Sequence, residues 1–366
     1  MVYYVRFLKT PRIQQQKGSI FISALICITT DLGDSFLAED VDLMVTARDN
    51  SSRVIFQKKT EWSASNRELA ITLGPLPSNL AKQSMVLTVE APESPEYVIP
   101  QYPSIPLVVA ATSAPFGPQS TPAEKLVQRR IQYSSSEPLP IKIWEETGNS
   151  IARHIWDVPR DAGLATVTYL HMICDNIKKT ANNKTKGTEP KIPALKQILS
   201  INRNQPLQVV ELGAGCGIVG IALATMLPNC SVILTDLPEV EDIITRNINA
   251  AQLATMSSLQ YQNLDWDDPL DELCPQPIEL ILVSDCTYNA DSLPALVSTL
   301  DRLIRTSPEA IILVALKRRH DSETVFFDLM RSAGFSAVQD SVEIPSQHDG
   351  VDEIEFYCYS RPIGGR

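Results

Sequence analysis

From residue 207 onward the chain repeats one alternation: a short apolar β-prone run, a helix-length amphipathic segment, then another run. The pattern predicts strands at 207–210, 231–235, 259–264, 280–284 and 310–316, with helices at 217–226, 240–252, 293–305 and 322–333. Parallel strands need such helical crossovers, and a sheet covered by helices on both faces is buried on both. The end of the chain breaks the rule. Two β-prone runs, 335–342 and 354–360, have only a loop between them and should pair as an antiparallel hairpin at the sheet edge. The expectation is an α/β fold built on a seven-stranded Rossmann-like sheet with one reversed strand.

The first turn of that sheet carries the densest chemistry. Val209 and Val210 close a buried strand, and Glu-Leu-Gly-Ala-Gly-Cys-Gly follows at 211–217. Gly213, Gly215 and Gly217 let the backbone turn tightly and approach a ligand, and Asp236 closes the next strand about 20 residues on, where a carboxylate can accept the hydroxyls of a ribose. Two cofactor classes use such a turn. A dinucleotide rests its pyrophosphate on the helix N-terminus, which favours anions. Glu211 would add a carboxylate that repels pyrophosphate and pairs with the cationic amino group of a methionine moiety, so S-adenosylmethionine is favoured over NAD.

Composition narrows the class further. A hydrophobic fraction of 44% and a charged fraction of 20% over 366 residues are those of a soluble globular protein large enough for two domains, and no apolar run is long enough to cross a bilayer. Arg6, Lys9 and Arg12 interrupt every candidate signal sequence. Seven cysteines without paired spacing fit a reducing compartment, so a cytoplasmic location, with nuclear residence as a second site, is expected. Four scattered histidines and the absence of C-x-x-C spacing predict no metal site. A net charge of −11 argues against a nucleic-acid partner, since phosphate contacts need a basic surface. No membrane partner is expected.

The N-terminal part has another texture. Short β-prone runs at 2–7, 19–29, 41–47, 54–58, 68–73 and 85–90 predict a small all-β domain. Seven prolines between 91 and 118 predict an extended linker, and the sequence from 122 reads as a helical lead-in. The expected division is therefore an accessory β-rich domain over 1–112 and a catalytic domain over 113–366. The amphipathic stretch 162–174 reads as a helix, and the basic, Asn/Thr-rich segment 178–191 reads as a solvated loop.

Taken in order, Gln132-Tyr133-Ser134, Ile155-Trp156-Asp157, the glycine turn, Thr235-Asp236-Leu237, the Arg-Asn-Ile-Asn run at 246–249, Leu264-Asp265-Trp266, Ser284-Asp285-Cys286-Thr287-Tyr288 and Pro345 with His348-Asp349 resemble the seven-β-strand protein-lysine methyltransferases. The resemblance is strongest to the subgroup containing the methyltransferase of valosin-containing protein and those acting on chaperones and elongation factors. It implies methyl transfer from S-adenosylmethionine to a lysine ε-amine of a protein, such as a chaperone, an AAA ATPase or a translation factor. By the same resemblance, Trp156 packs on the methionine end of the cofactor, Gly213, Ala214, Gly215 and Asp236 hold its nucleoside, Trp266 lies beside adenine, and Ser284 contacts it after the fourth strand. Asp285 and Tyr288 match the catalytic D-x-x-Y run. Arg246, Asn247 and Asn249 read as solvated or capping residues. The sequence departs from the family where 158–161 separate Trp156-Asp157 from Ala162-Gly163-Leu164. Two other readings remain open here: a small-molecule methyltransferase, and a non-catalytic interaction protein on a methyltransferase scaffold.

Overall fold

The computed structural model describes residues 3–16, 18–30, 33–92, 98–99, 102–118, 121–131, 141–146, 153, 162–181, 191–200, 204–269, 276–317, 324–345 and 351–361. It divides into two compact units, Met1–His154 and Ile155–Arg366.

The first unit is all β. One sheet has four strands in the order Leu69–Pro77, Ser19–Thr29, Tyr3–Gln16, Val108–Val109, and another has six in the order Ile141–Glu146, Leu126–Ile131, Ala111–Ser113, Met85–Glu90, Val41–Asp49, Val54–Trp62. Alternate residues turn inward, as Ile20, Ile22, Ala24 and Ile26 do, and join one core with Trp62, Leu87 and Phe116.

Two expectations are corrected here. Part of the proline-rich stretch is not a linker: Val98–Ile99 pairs with Tyr102–Pro106, and Val108–Val109 and Ala111–Ser113 enter the two main sheets. Proline removes only one donor, which short or edge strands tolerate. The boundary also lies later than 112. Leu126–Ile131 and Ile141–Glu146 form an antiparallel pair in the six-stranded sheet rather than a helical lead-in. Their alternation is hidden in the sequence because one inward residue is Arg129, which is fully buried. Its Nε donates to Glu145 Oε1 at 2.6 Å, and Nη1 donates to the Val5 carbonyl at 2.6 Å on the opposite sheet. Burial pulls the Arg129 pKa down, and Glu145 opposes that shift.

In the second unit the strands are β1 (Leu207–Leu212), β2 (Cys230–Asp236), β3 (Ser258–Asn263), β4 (Leu280–Ser284), β5 (Ile311–Leu316), β6 (Ser336–Pro345) and β7 (Val351–Ser360). The helices are α1 (Ala162–Ala181), α2 (Pro193–Ile198), α3 (Ile218–Met226), α4 (Glu241–Ala250), α5 (Leu293–Thr306) and α6 (Thr324–Ser332). The sheet runs β3-β2-β1-β4-β5-β7-β6; β1 to β5 are parallel, and β7 is antiparallel to both β5 and β6. The expected seven-stranded sheet with its terminal hairpin is what forms.

Val210, Leu212, Ile281, Val283, Ile312 and Val314 bury one face of the sheet against α5 and α6. Helix α5 does this with Leu293, Leu296, Val297, Leu300, Leu303 and Ile304, spaced three or four apart, after a proline in its first turn. The opposite face meets α3, and α1 packs against α3. The Tyr169 hydroxyl of α1 donates to Asp340 on β6 at 2.9 Å, and its ring stacks on Phe356 of β7 at 4.2 Å. The strand order reverses between β1 and β4. In open α/β sheets a crevice forms there, outside the carboxyl ends of the strands.

Candidate active site

At this end of the sheet lie the segments that leave the carboxyl ends of β1, β2, β3 and β4. After β1 the chain turns through Gly213 with φ 65°, in the left-handed region. A Cβ at Gly213 would lie 2.5 Å from Cys286 Sγ and 3.4 Å from Trp266 Cζ2, so only glycine lets the turn, the thiol and the indole meet. The amide of Ala214 donates to the Thr235 carbonyl at 3.0 Å, and that of Gly215 to Asp236 Oδ2 at 2.7 Å. The two candidate cofactor elements, the turn and the acid one strand over, are thus brought into contact. Asp236 Oδ1 also accepts the Leu237 amide at 2.7 Å. Burial raises the Asp236 pKa, and the amides of Gly215 and Leu237 oppose the rise.

Glu211 is placed differently from the sequence reading. Its carboxylate accepts the Gly220 amide of α3 at 2.7 Å, and the residue is 2% exposed. Gly220 makes room for this: a Cβ there would sit 2.6 Å from Glu211 Oε2. Burial pushes the Glu211 pKa up to about 8. In place of an open carboxylate, the turn presents one already bound to the helix that follows it. The cause is local: the first turn of a helix offers unsatisfied N–H groups, and this carboxyl group takes one.

Trp266 follows β3, half-buried against the α5 core. Its carbonyl accepts Arg302 Nη2 at 3.0 Å, which fixes the backbone that carries the indole. At the end of β4, Ser284 Oγ donates to Thr166 Oγ1 of α1 at 3.1 Å. The next residue, Asp285, has φ 55°, a left-handed conformation uncommon outside glycine and therefore suggestive of function. Its amide donates to the Ala315 carbonyl at 3.0 Å, and the residue is half-buried. Tyr288 is 59% exposed on the same loop. Its pKa is raised by partial burial first, then by Cys286, Asp285 and Asp236, so both acids act on one phenol.

Gly213, Ala214, Gly215, Asp236, Trp266, Ser284, Asp285 and Tyr288 therefore gather around the switch point, with Glu211 behind them. Trp156 and residues 158–161 lie outside the described residues, as do Gln132-Tyr133-Ser134 and His348-Asp349. The sequence reading missed three contributors. Asn247, expected to be solvated, is fully buried on α4, and its Nδ2 donates to the Cys216 carbonyl at 2.8 Å. Tyr261 on β3 donates to the Leu237 carbonyl at 2.9 Å, holding the backbone after Asp236, and its pKa is pushed up to about 12 by burial and nearby acids. Thr166, buried on α1, receives Ser284. A signal existed for Asn247, which lies three residues after Ile244 and so shares its apolar face.

Among the described residues no group of three or more His, Cys, Asp or Glu side chains could hold a metal ion. None of their helices is long and apolar enough to cross a membrane.

A family model described as lysine methyltransferase matches residues 135–333. A UPF0665 family protein of Schizosaccharomyces pombe is 26% identical over 329 residues, covering 88% of this chain and 91% of its own. That alignment is longer than the second unit, so it runs into the first. Protein N-lysine methyltransferase METTL21A of Danio rerio is 35% identical over 39% of this chain, and EEF1A lysine methyltransferase 3 of Xenopus tropicalis is 36% identical over 33%. The chain spans 62% and 51% of the lengths of those two.

Proposed function

The chain belongs to the lysine methyltransferase family, and from that premise we propose that it methylates a lysine ε-amine on a protein substrate, with Asp285 and Tyr288 handling the amine. Its cofactor is S-adenosylmethionine, and the donor set at the switch point fits that molecule. Asp236 stands at the carboxyl end of β2 where a ribose diol can be accepted, Trp266 offers a flat apolar face for adenine, and the left-handed Gly213 opens the turn between them. Gly215 and Ala214 supply backbone. Ser284 ends β4, the neighbour of β1, and Trp156 belongs to the methionine end by family resemblance alone. Bound there, the cofactor supplies an electrophilic methyl group.

The protein must deliver a neutral amine in line with it. A free lysine, with a pKa near 10.4, is almost wholly protonated at neutral pH. Entry into a crevice walled by Trp266 and Tyr288 removes water from the ammonium and favours its neutral form. Asp285, projecting from a left-handed corner directly after β4, can accept the amine's hydrogens and fix its lone pair. The Tyr288 hydroxyl, kept protonated, can donate or accept beside it. Positioning supplies the catalysis, and no strong base is required. The observation that carries this reading is the left-handed Asp285 corner beside the glycine turn, where the strand order reverses between β1 and β4.

The substrate is a protein, and a translation factor is the favoured kind, in view of the relative named for EEF1A. A cytoplasmic location is part of the proposal, on the cysteine pattern of the sequence. The test is incubation of purified protein with tritiated S-adenosylmethionine and a lysate of cells lacking it. Label on a lysine of a discrete protein supports the proposal. Label confined to small molecules would replace it with metabolite methylation, and a chain that binds no cofactor in calorimetry would be a scaffold.

A further inference from the structure

Asn247 lies in the middle of α4, a helix whose other buried side chains are Ile243 and Ile244. It is fully buried, and its amide crosses from the helix to the Cys216 carbonyl inside the glycine turn. Ile244, three residues earlier on the same face, packs where a Cβ at Gly217 would come within 3.2 Å of its Cγ1. One helix face therefore makes an apolar contact and a polar contact with consecutive residues of one turn. An amide in this setting is costly to bury unless its hydrogen bond is made, and an apolar residue would fill the space at less cost. The Cys216 carbonyl also has something to gain, because it lies in a turn with left-handed φ values of 57° at Gly215 and 82° at Gly217.

We propose that Asn247 is a positioning residue for the cofactor. By holding the Cys216 carbonyl inward, it fixes the peptide orientation of the segment whose Gly215 amide meets Asp236, so the turn is formed before the nucleoside arrives. The inference rests on the functional reading above and adds a residue that touches neither cofactor nor substrate. Preorganisation of this kind acts on cofactor affinity and leaves the handling of the amine to Asp285.

The probe is S-adenosylhomocysteine, measured by calorimetry against the full-length chain, with Asn247→Ala, the near-isosteric Asn247→Asp, and Ser307→Ala as control. Ser307 accepts the Ile278 amide at 2.9 Å, a buried bond ahead of the amino end of β4 and far in the fold from the turn. Both Asn247 variants are expected to bind roughly tenfold more weakly, with KM for S-adenosylmethionine raised and kcat held within about twofold. Ser307→Ala should lose melting temperature without losing affinity. A wild-type chain that does not bind the probe would remove the functional reading itself. A wild-type chain that binds, with Asn247 variants that bind equally well, overturns the role of Asn247 alone. If neither variant folds, hydrogen exchange on the free wild-type chain decides. Slow exchange of the Gly217 amide, which donates to the Ala214 carbonyl at 2.7 Å, supports a preformed turn. Fast exchange that slows only with the probe overturns it.

Discussion

Asp236 Oδ2 accepts the Gly215 amide at 2.7 Å, so the acid that ends β2 and the turn that follows β1 form one hydrogen-bonded unit. Removing the acid should damage two things at once: the acceptor for the ribose hydroxyls and the anchor of the turn. Asp236→Ala is expected to cost about 1.5–3 kcal/mol of cofactor binding, the range for hydrogen bonds to a charged acceptor, here from the ribose hydroxyls. Calorimetry with S-adenosylhomocysteine should read this as roughly a ten- to hundredfold rise in Kd. Thermal stability should fall as well, because the Gly215 and Leu237 amides both lose their acceptor. An unchanged Kd would remove Asp236 from the site.

Glu211 predicts a pH dependence of folding. Its pKa is about 8 in the folded chain, raised from an ordinary value of 4.5, mainly by burial. A group with a raised folded-state pKa stabilises most below its unfolded value, and the contribution is lost as pH rises through the folded one. The wild-type chain should therefore lose stability between about pH 4.5 and pH 8 through this residue. Glu211→Gln keeps an oxygen for the Gly220 amide and cannot ionise. Urea unfolding of the two proteins at about pH 5 and about pH 8.5 should show the variant gaining relative to wild type by a few kcal/mol, and parallel curves would mean that Glu211 does not titrate in this window.

The Arg129–Glu145 pair is buried between two sheets, and Arg129 also holds the Val5 carbonyl. Deleting one partner strands a charge, so Glu145→Leu should destabilise the first unit by about 3–5 kcal/mol. The double variant Glu145→Leu with Arg129→Met should recover most of that loss. Denaturation of wild type, each single variant and the double variant tests it; additive losses would show that the charges do not act as a pair.

The sequence made the parallel strands legible because β4 and β5 are nearly unbroken apolar runs and Val209 and Val210 stand at the centre of β1, and it made the hairpin legible because no helix fits between 342 and 354. It hid Leu126–Ile131 because the central inward residue is a charged one whose partner, Glu145, lies 16 positions away. It hid Asn247 because a polar residue on a helix is solvated by default, and only the fold shows the Cys216 carbonyl above it. The direction of Glu211 could have been inferred. It shares a strand face with Val209, opposite to Val210 and Leu212, which points it toward the helix that follows the turn.

At Asp285, strain and chemistry can be separated by two substitutions. A side chain at φ 55° costs about 1 kcal/mol that glycine does not incur. Asp285→Gly should therefore keep or slightly raise the melting temperature, while Asp285→Ala, which retains a Cβ and loses the polar group that tolerates this region, should lower it by about 1 kcal/mol of stability. Both should reduce methyl transfer at least roughly a hundredfold, since positioning of the amine is what they remove. Cofactor affinity should stay within about threefold for each, because Asp285 serves the acceptor rather than the nucleoside. Tritium transfer to the lysate substrate, melting curves and calorimetry on the same preparations distinguish the outcomes. Retained turnover in either variant would take the catalytic role from Asp285, and equal stability of the two would show that the left-handed corner carries no strain.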